Sequence, residues 1–235
     1  MRLDVRALTF DVFGTVVDWR SGVAREAEAL LSRKGHALDW PAFADRWRAR
    51  YQPALEEVRS GRRPFAPLDE LHRENLAALL EEEGIRELSE AELSDLNRAW
   101  HRLDPWPDVL EGLRRLKPRA PLVTLSNGNV SLLLEMARRA QLPWDAILGA
   151  EVSRAYKPLP EAYDRTAALL GLAPGQCLMV AAHPDDLVAA RGRGFRTAYV
   201  HRPLEFGRGR GGKPPPEGAF DFAVESFTEL AAALG

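Results

Sequence analysis

The rhythm of apolar and polar positions divides the 235-residue chain into three stretches. The first holds a short run at 5–10, rich in β-branched and aromatic residues and closed by a glycine turn, which predicts a buried strand. The second has apolar residues three and four apart with charges between them over 19–34, 40–60, 67–84 and 89–103, the spacing of amphipathic helices. Leu71, Leu76, Leu79 and Leu80 make one such packing stripe. No strand pattern interrupts this block until "DPWPDV" at 104–109 ends it. The third stretch alternates. Strands are predicted at 121–126, 146–151, 177–182, 197–202 and 220–224, with helices at 130–140, 160–170, 185–193 and 226–234.

Strands separated by helices of this length make a parallel sheet with right-handed crossovers. The predicted architecture is therefore α/β, a Rossmann-like parallel-sheet core formed by residues 1–15 and 104–235. A helical cap domain, residues 16–103, is inserted into it. In such sheets ligands bind beyond the carboxyl ends of the strands. The residues at or just past those ends are Asp11, Ser126-Asn127, Lys157 and the "AAHPDD" turn closing on Asp186. A carboxylate, a hydroxyl with an amide, an ammonium and a second carboxylate would converge on one cleft under the helical insert.

Composition narrows the chemistry. A formal charge of −2, from 32 basic and 34 acidic residues, favours neither nucleic acid nor an anionic membrane. No apolar stretch reaches spanning length and no targeting segment is recognisable, so a cytoplasmic location is expected. A single cysteine, Cys177, sets aside disulfides and cysteine metal sites. Of the 32 basic residues only Lys34, Lys117, Lys157 and Lys213 are lysines, so a lysine in an extended "YKP" connection calls for a chemical reason. "GRGRGGKPPP" at 207–216 contains G-x-G-x-x-G, yet prolines come after it where a dinucleotide site needs a helix. It reads as a flexible surface loop.

Beside Lys157, Asp11 would stay ionised and serve as a carboxylate nucleophile; the competing reading is an N-cap, although the next helical pattern starts only near Trp19. Ser126 and Asn127 look like an anion seat at a helix start, and a plain N-cap is the alternative. Asp186 falls in a first helical turn, where an acidic residue is stabilised in any case.

Asp11-x-Phe13-Gly14-Thr15, Ser126-Asn127, Lys157-Pro158 and Asp186 resemble, in order and spacing, the four motifs of the haloacid dehalogenase superfamily. Most of its members are phosphohydrolases with a second aspartate where this chain has Phe13. Their fourth motif usually reads G-D-x-x-x-D, and here Ala182 replaces the metal-binding carboxylate. A leaving group that needs neither proton nor Mg²⁺ fits what remains, and halide is such a group. Trp47-Arg48, Tyr163 six residues after Lys157, and "LSNG" at 125–128 narrow the resemblance to the L-2-haloacid dehalogenase branch.

That resemblance implies a cofactor-free hydrolase converting short 2-haloalkanoic acids to 2-hydroxy acids through an aspartyl ester. Asp11 would attack, Thr15, Lys157 and Asp186 would assist, and Arg48 with Asn127 would cradle the halide. Ser126 would hold the substrate carboxylate, with Phe13, Tyr163 and His183 also contacting substrate. The implied partners are a small 2-haloacid and the released halide ion, with no nucleic acid and no membrane, and a homodimer stays open. Ala181, His183 and Asp185 depart from the branch, which often has Ser, Asn and an aromatic there. Two other functions stay open: a metal-dependent small-molecule phosphatase using Asp185-Asp186, and a non-catalytic binder of small carboxylic acids.

Overall fold

β1 (Ala7–Phe10) runs through the middle of a six-stranded parallel sheet, and all four of its residues are buried. Its neighbours are β4 (Leu122–Ser126) and β6 (Cys177–Ala181), with Phe10 in register with Thr124 and Val180. β5 (Ala146–Gly149) lies outside β4, while β7 (Arg196–Val200) and β8 (Phe222–Val224) extend the other side. A strand paired on both edges and covered on both faces has no solvated side, which is why its sequence is a run and not an alternation. The computed structural model describes residues 4–211 and 214–235.

After β1 the chain leaves the sheet through β2 (Val17–Asp18) and returns through β3 (Asp104–Pro105), which pair antiparallel. Between them lie α1 (Trp19–Leu31), α2 (Trp40–Ala49), α3 (Tyr51–Arg59), α4 (Leu68–Glu82) and α5 (Glu90–Asn97). Asp18 and Asp39 cap α1 and α2 with side-chain oxygens, and Ser89 and Glu92 form a capping box on α5. The predicted helix at 40–60 is two helices hinged at Arg50. Pro53 has no N–H to give the Ala49 carbonyl and its ring would crowd it, so the first helix stops and a second begins.

Three tryptophans from this helical block, Trp19, Trp47 and Trp100, are fully buried together. Trp100 meets Trp47 edge-on at 5.5 Å, stacks on Trp19 at 6.2 Å and receives Phe13 from the sheet side at 5.9 Å. Burying an aromatic of this size stabilises by about 4–6 kcal/mol in area terms. The cluster seats the helices over the carboxyl end of β1.

α6 (Val109–Leu116) is a helix that the periodicity does not predict. It is only two turns long and is squeezed between Pro107 and Pro118, too short for its period to stand out. It packs on α11 (Phe227–Ala233) so closely that a Cβ on Gly112 would lie 2.3 Å from that of Phe227. α7 (Val130–Ala140) has the predicted limits, and α9 (Pro160–Leu169) and α10 (Pro184–Gly192) lie within a residue of theirs. The predicted strand 146–151 ends at Gly149, and Ala150–Ser153 forms the single turn α8. Among the described residues no helix is long and apolar enough to cross a membrane.

Candidate active site

Asp11 comes directly after the last residue of β1 and is almost wholly buried, so its carboxylate needs donors. It has three. Lys157 Nζ donates to Oδ1 at 3.0 Å, while Thr15 Oγ1 at 2.6 Å and His183 Nδ1 at 3.0 Å reach Oδ2. Thr15 is itself held by the Ala182 N–H at 2.9 Å, which ties the turn after β1 to the end of β6. Burial pushes the Asp11 carboxyl up, but the Lys157 and His183 charges and these hydrogen bonds outweigh it and hold the group ionised, below the usual carboxylate range.

Lys157 is buried and serves two carboxylates, donating to Asp186 Oδ2 as well as to Asp11. Burial pulls its pKa down, but the charges of Asp11 and Asp186 outweigh it and raise the pKa above the usual lysine value. Asp186, in the first turn of α10, also accepts from Tyr163 Oη at 2.6 Å. Burial pushes its carboxyl above the usual range, opposed by the Lys157 ammonium and reinforced by the Asp11 charge.

His183 stands at the N-cap of α10 with each ring nitrogen facing a carboxylate: Nδ1 on Asp11, and Nε2 on Glu205 Oε1 at 3.0 Å. A ring flanked in this way donates from both nitrogens and is an imidazolium. Burial disfavours that charge, but the hydrogen bonds to Asp11 and Glu205 prevail and raise the pKa to about 10. With 31% of the side chain exposed, solvent screens part of this rise. Glu205 is almost fully buried and also accepts from Trp19 Nε1 at 3.1 Å. Sequence reasoning missed Glu205. It sits in a loop after β7 among arginines and glycines, where nothing local sets it apart from a solvated acid.

Arg48 approaches from α2. Its guanidinium carbon lies 3.8 Å above the Tyr51 ring and 5.5 Å from that of Trp19, and its Nη1 is buried without a hydrogen-bond partner among the described residues. Its helix neighbours differ: Arg46 pairs with Glu83 at 2.7 Å and Arg50 pairs with Glu82. His72, buried and stacked 4.3 Å from Trp100, stays neutral beside Arg48. Burial first, and then the Arg48 charge, lower its pKa to about 3. An uncompensated cation with an idle donor is suited to receive an anion.

These groups open on one cavity of about 950 Å³. Asp11, Phe13, Arg48, Asn127, Lys157, Tyr163, His183 and Asp186 all reach it, so most of the predicted site residues do come together. Thr15 and Ser126 stand behind the wall. Ser126 is buried, and its oxygen accepts from the Gly128 N–H at 3.2 Å. Phe206 and Arg210 also line the cavity, and Arg210 donates to Asp45 of α2 at 2.6 Å. The start of the glycine-rich loop thus packs across the mouth; Gly212 and Lys213 lie outside the described residues.

A Mg²⁺ site fits these residues poorly. The Lys157 ammonium already lies between the carboxylates of Asp11 and Asp186, and Ala182 contributes no side-chain oxygen.

The model of the haloacid dehalogenase-like hydrolases matches residues 5–194. The chain belongs to that family. Among curated relatives, an (S)-2-haloacid dehalogenase of Xanthobacter autotrophicus is 30% identical over 200 residues, covering 84% of this chain and 76% of that one. (S)-2-haloacid dehalogenase 4A of Burkholderia cepacia is 30% identical over 235 residues, covering 96% and 93%. Among solved structures, a defluorinating L-2-haloacid dehalogenase matches with a TM-score of 0.95 and 49% identity over 98% of this chain and 95% of the other. The Xanthobacter autotrophicus L-2-haloacid dehalogenase with chloropropionic acid covalently bound matches at 0.79 and 26% identity, over 98% of each chain. Glu205 lies beyond the span of this haloacid dehalogenase-like model, which is a second reason motif reading did not reach it.

Proposed function

We propose that this hydrolase displaces halide from short (S)-2-haloacids, with Asp11 as the nucleophile and no metal. The observation that carries the proposal is an ionised, buried Asp11 with Phe13 two residues on, in one cavity with an Arg48 that has no carboxylate partner among the described residues. Phe13 cannot protonate a leaving group, and halide requires no proton. The relatives named for 2-haloacids, and the covalent chloropropionate in one of them, agree with this reading.

In the first step an Asp11 oxygen attacks C2 from behind the carbon–halogen bond. The bond breaks with both electrons on the halide, giving an ester of inverted configuration. Arg48 and Asn127 stabilise the charge as it appears on the halogen. Backbone N–H groups at the ends of β1 and β4 seat the substrate carboxylate, and Ser126, behind the wall, braces that turn through the Gly128 N–H. Tyr163 and Asp186 hold Lys157, and Thr15 with Lys157 aims Asp11.

Esterification removes the Asp11 charge, so His183 loses one of the two carboxylates that keep it protonated. The Nδ1 proton, no longer held by that carboxylate, can then pass to solvent, to which the ring is partly open. In the second step water attacks the ester carbonyl carbon. One water proton goes to His183, oriented by Glu205, and the other goes to the departing 2-oxygen, releasing the 2-hydroxy acid and the Asp11 carboxylate.

A helical cap at 16–103 over a core of 1–15 and 104–235 is part of the proposal, supported by the β2–β3 crossing where the chain leaves and returns. So is a cytoplasmic location, supported by the single unpaired and buried Cys177. So is a homodimer, supported by exposed Leu169 and Val188 on the adjoining helices α9 and α10.

The test is halide release from both enantiomers of 2-chloropropionate by the wild type and by Asp11→Asn. Chloride should appear from the S enantiomer only, with the R-configured 2-hydroxy acid as product, and Asp11→Asn should be silent while folded. Near-wild-type release by that variant ends the nucleophile assignment.

A further inference from the structure

Asn127 is held by two bonds that together fix the position of a third proton. Its Oδ1 accepts from the Lys157 backbone N–H at 2.8 Å, and its Nδ2 donates to Tyr51 Oη at 2.8 Å. A backbone N–H can only donate, so the amide cannot be flipped, and Tyr51 must be the acceptor in the second bond. The Tyr51 hydroxyl proton is therefore free to point elsewhere, and it donates to no group among the described residues. Tyr51 is 5% exposed, and it lines the same cavity as Asn127 and Arg48. Its ring is the one beneath the Arg48 guanidinium, 3.8 Å away.

We infer that the Tyr51 hydroxyl is a third donor to the departing halide, set between Arg48 from α2 and Asn127 from the end of β4. This rests on the dehalogenase reading and deepens it. The grounds are count and placement. Arg48 brings a partnerless Nη1, Asn127 has one amide proton left after serving Tyr51, and Tyr51 has its own. Tyr51 touches both of the others, across the boundary between the helical block and the sheet. One side chain also does two positioning tasks, since it stacks under the guanidinium and orients the amide.

A donor of this kind has a signature that packing lacks. Hydrogen-bond acceptance by halide ions weakens from fluoride through chloride and bromide to iodide, as the same charge spreads over a larger ion. Losing the hydroxyl should therefore hurt the reaction most where the leaving group needs a donor most. A change in shape or stability would depress all substrates together.

The experiment compares kcat/KM for wild type and Tyr51→Phe with fluoro-, chloro-, bromo- and iodoacetate, reading the released halide. Tyr51→Phe keeps the ring under Arg48, and circular dichroism with thermal melting confirms the fold. Tyr51→Leu, which removes the ring as well, serves as the second variant. The expected result for Tyr51→Phe is a loss of about 10–10² for the best acceptor the enzyme turns over. The loss should shrink steadily along the series, to within about threefold for iodide. Tyr51→Leu should add a further loss that is nearly even across halogens. Flat losses, or none, in an otherwise active Tyr51→Phe series overturn the role of Tyr51 and leave the dehalogenase reading intact. Absence of halide release by the wild type from every substrate overturns both.

Discussion

A Cβ placed on Gly14 would lie 2.1 Å from Glu205 Oε1, so the glycine of the first motif makes room for a carboxylate from the loop after β7. Gly14 also has φ +83°, a conformation other residues adopt only under strain. This opening lets Glu205 reach His183 and, through it, Asp11.

Glu205→Gln should separate the two halves of the reaction. In the proposed mechanism the first half needs Asp11 and the halide donors, whereas the second needs His183 as a base. The variant should release a burst of halide equal to the enzyme present and then turn over about 10²-fold more slowly. Mass spectrometry should find the ester on Asp11. Wild-type steady-state release with no burst would remove Glu205 from the mechanism.

Arg48→Ala should lower kcat as well as kcat/KM, by about 10²–10³, because the charge it meets develops only as the bond breaks. Arg48→Lys should recover little, since an ammonium lacks the planar fork. Arg46→Ala and Arg50→Ala each break an ion pair with a glutamate of α4 or its C-cap and should change rates by no more than a few-fold. Equal effects in all of these variants would leave the cap without a part in halide departure.

His183 couples stability to pH. Its pKa is raised in the fold, to about 10, from an unfolded value of about 6.5. The stabilisation is fully present below the lower value and is lost as pH rises through the upper one. His183→Asn should therefore melt below the wild type by about 4–8 °C at pH 6, on the order of 2 kcal/mol after solvent screening, and the gap should close near pH 10. A gap that is constant with pH would mean the imidazolium contributes only packing.

Halide release should survive EDTA and gain nothing from added Mg²⁺. The Lys157 ammonium already bonds both Asp11 and Asp186, and a hard cation needs several oxygen ligands. Loss of activity on chelation, restored by Mg²⁺, would favour the phosphatase alternative.

The sequence by itself determined what repeats locally or marks a strand end. Period and punctuation were enough for the parallel sheet, for α7 and for the placing of Asp11, Asn127, Lys157 and Asp186 on one edge, because backbone geometry obliges parallel strands to present their carboxyl ends together. Where one short feature competed with another, the pattern was too weak: Pro53 splits what read as one helix, and α6 is hidden between two prolines. Only the tertiary structure decided which charges are paired. Arg46, Arg48 and Arg50 have the same side chain on α2 and its C-cap, yet the outer two find glutamates and Arg48 lies over Tyr51 facing the cavity. Glu205 and Tyr51 became part of the site in the same way. Their roles depend on a neighbour distant in the chain, and pairing and desolvation are properties of such neighbours, which no local run of residues encodes.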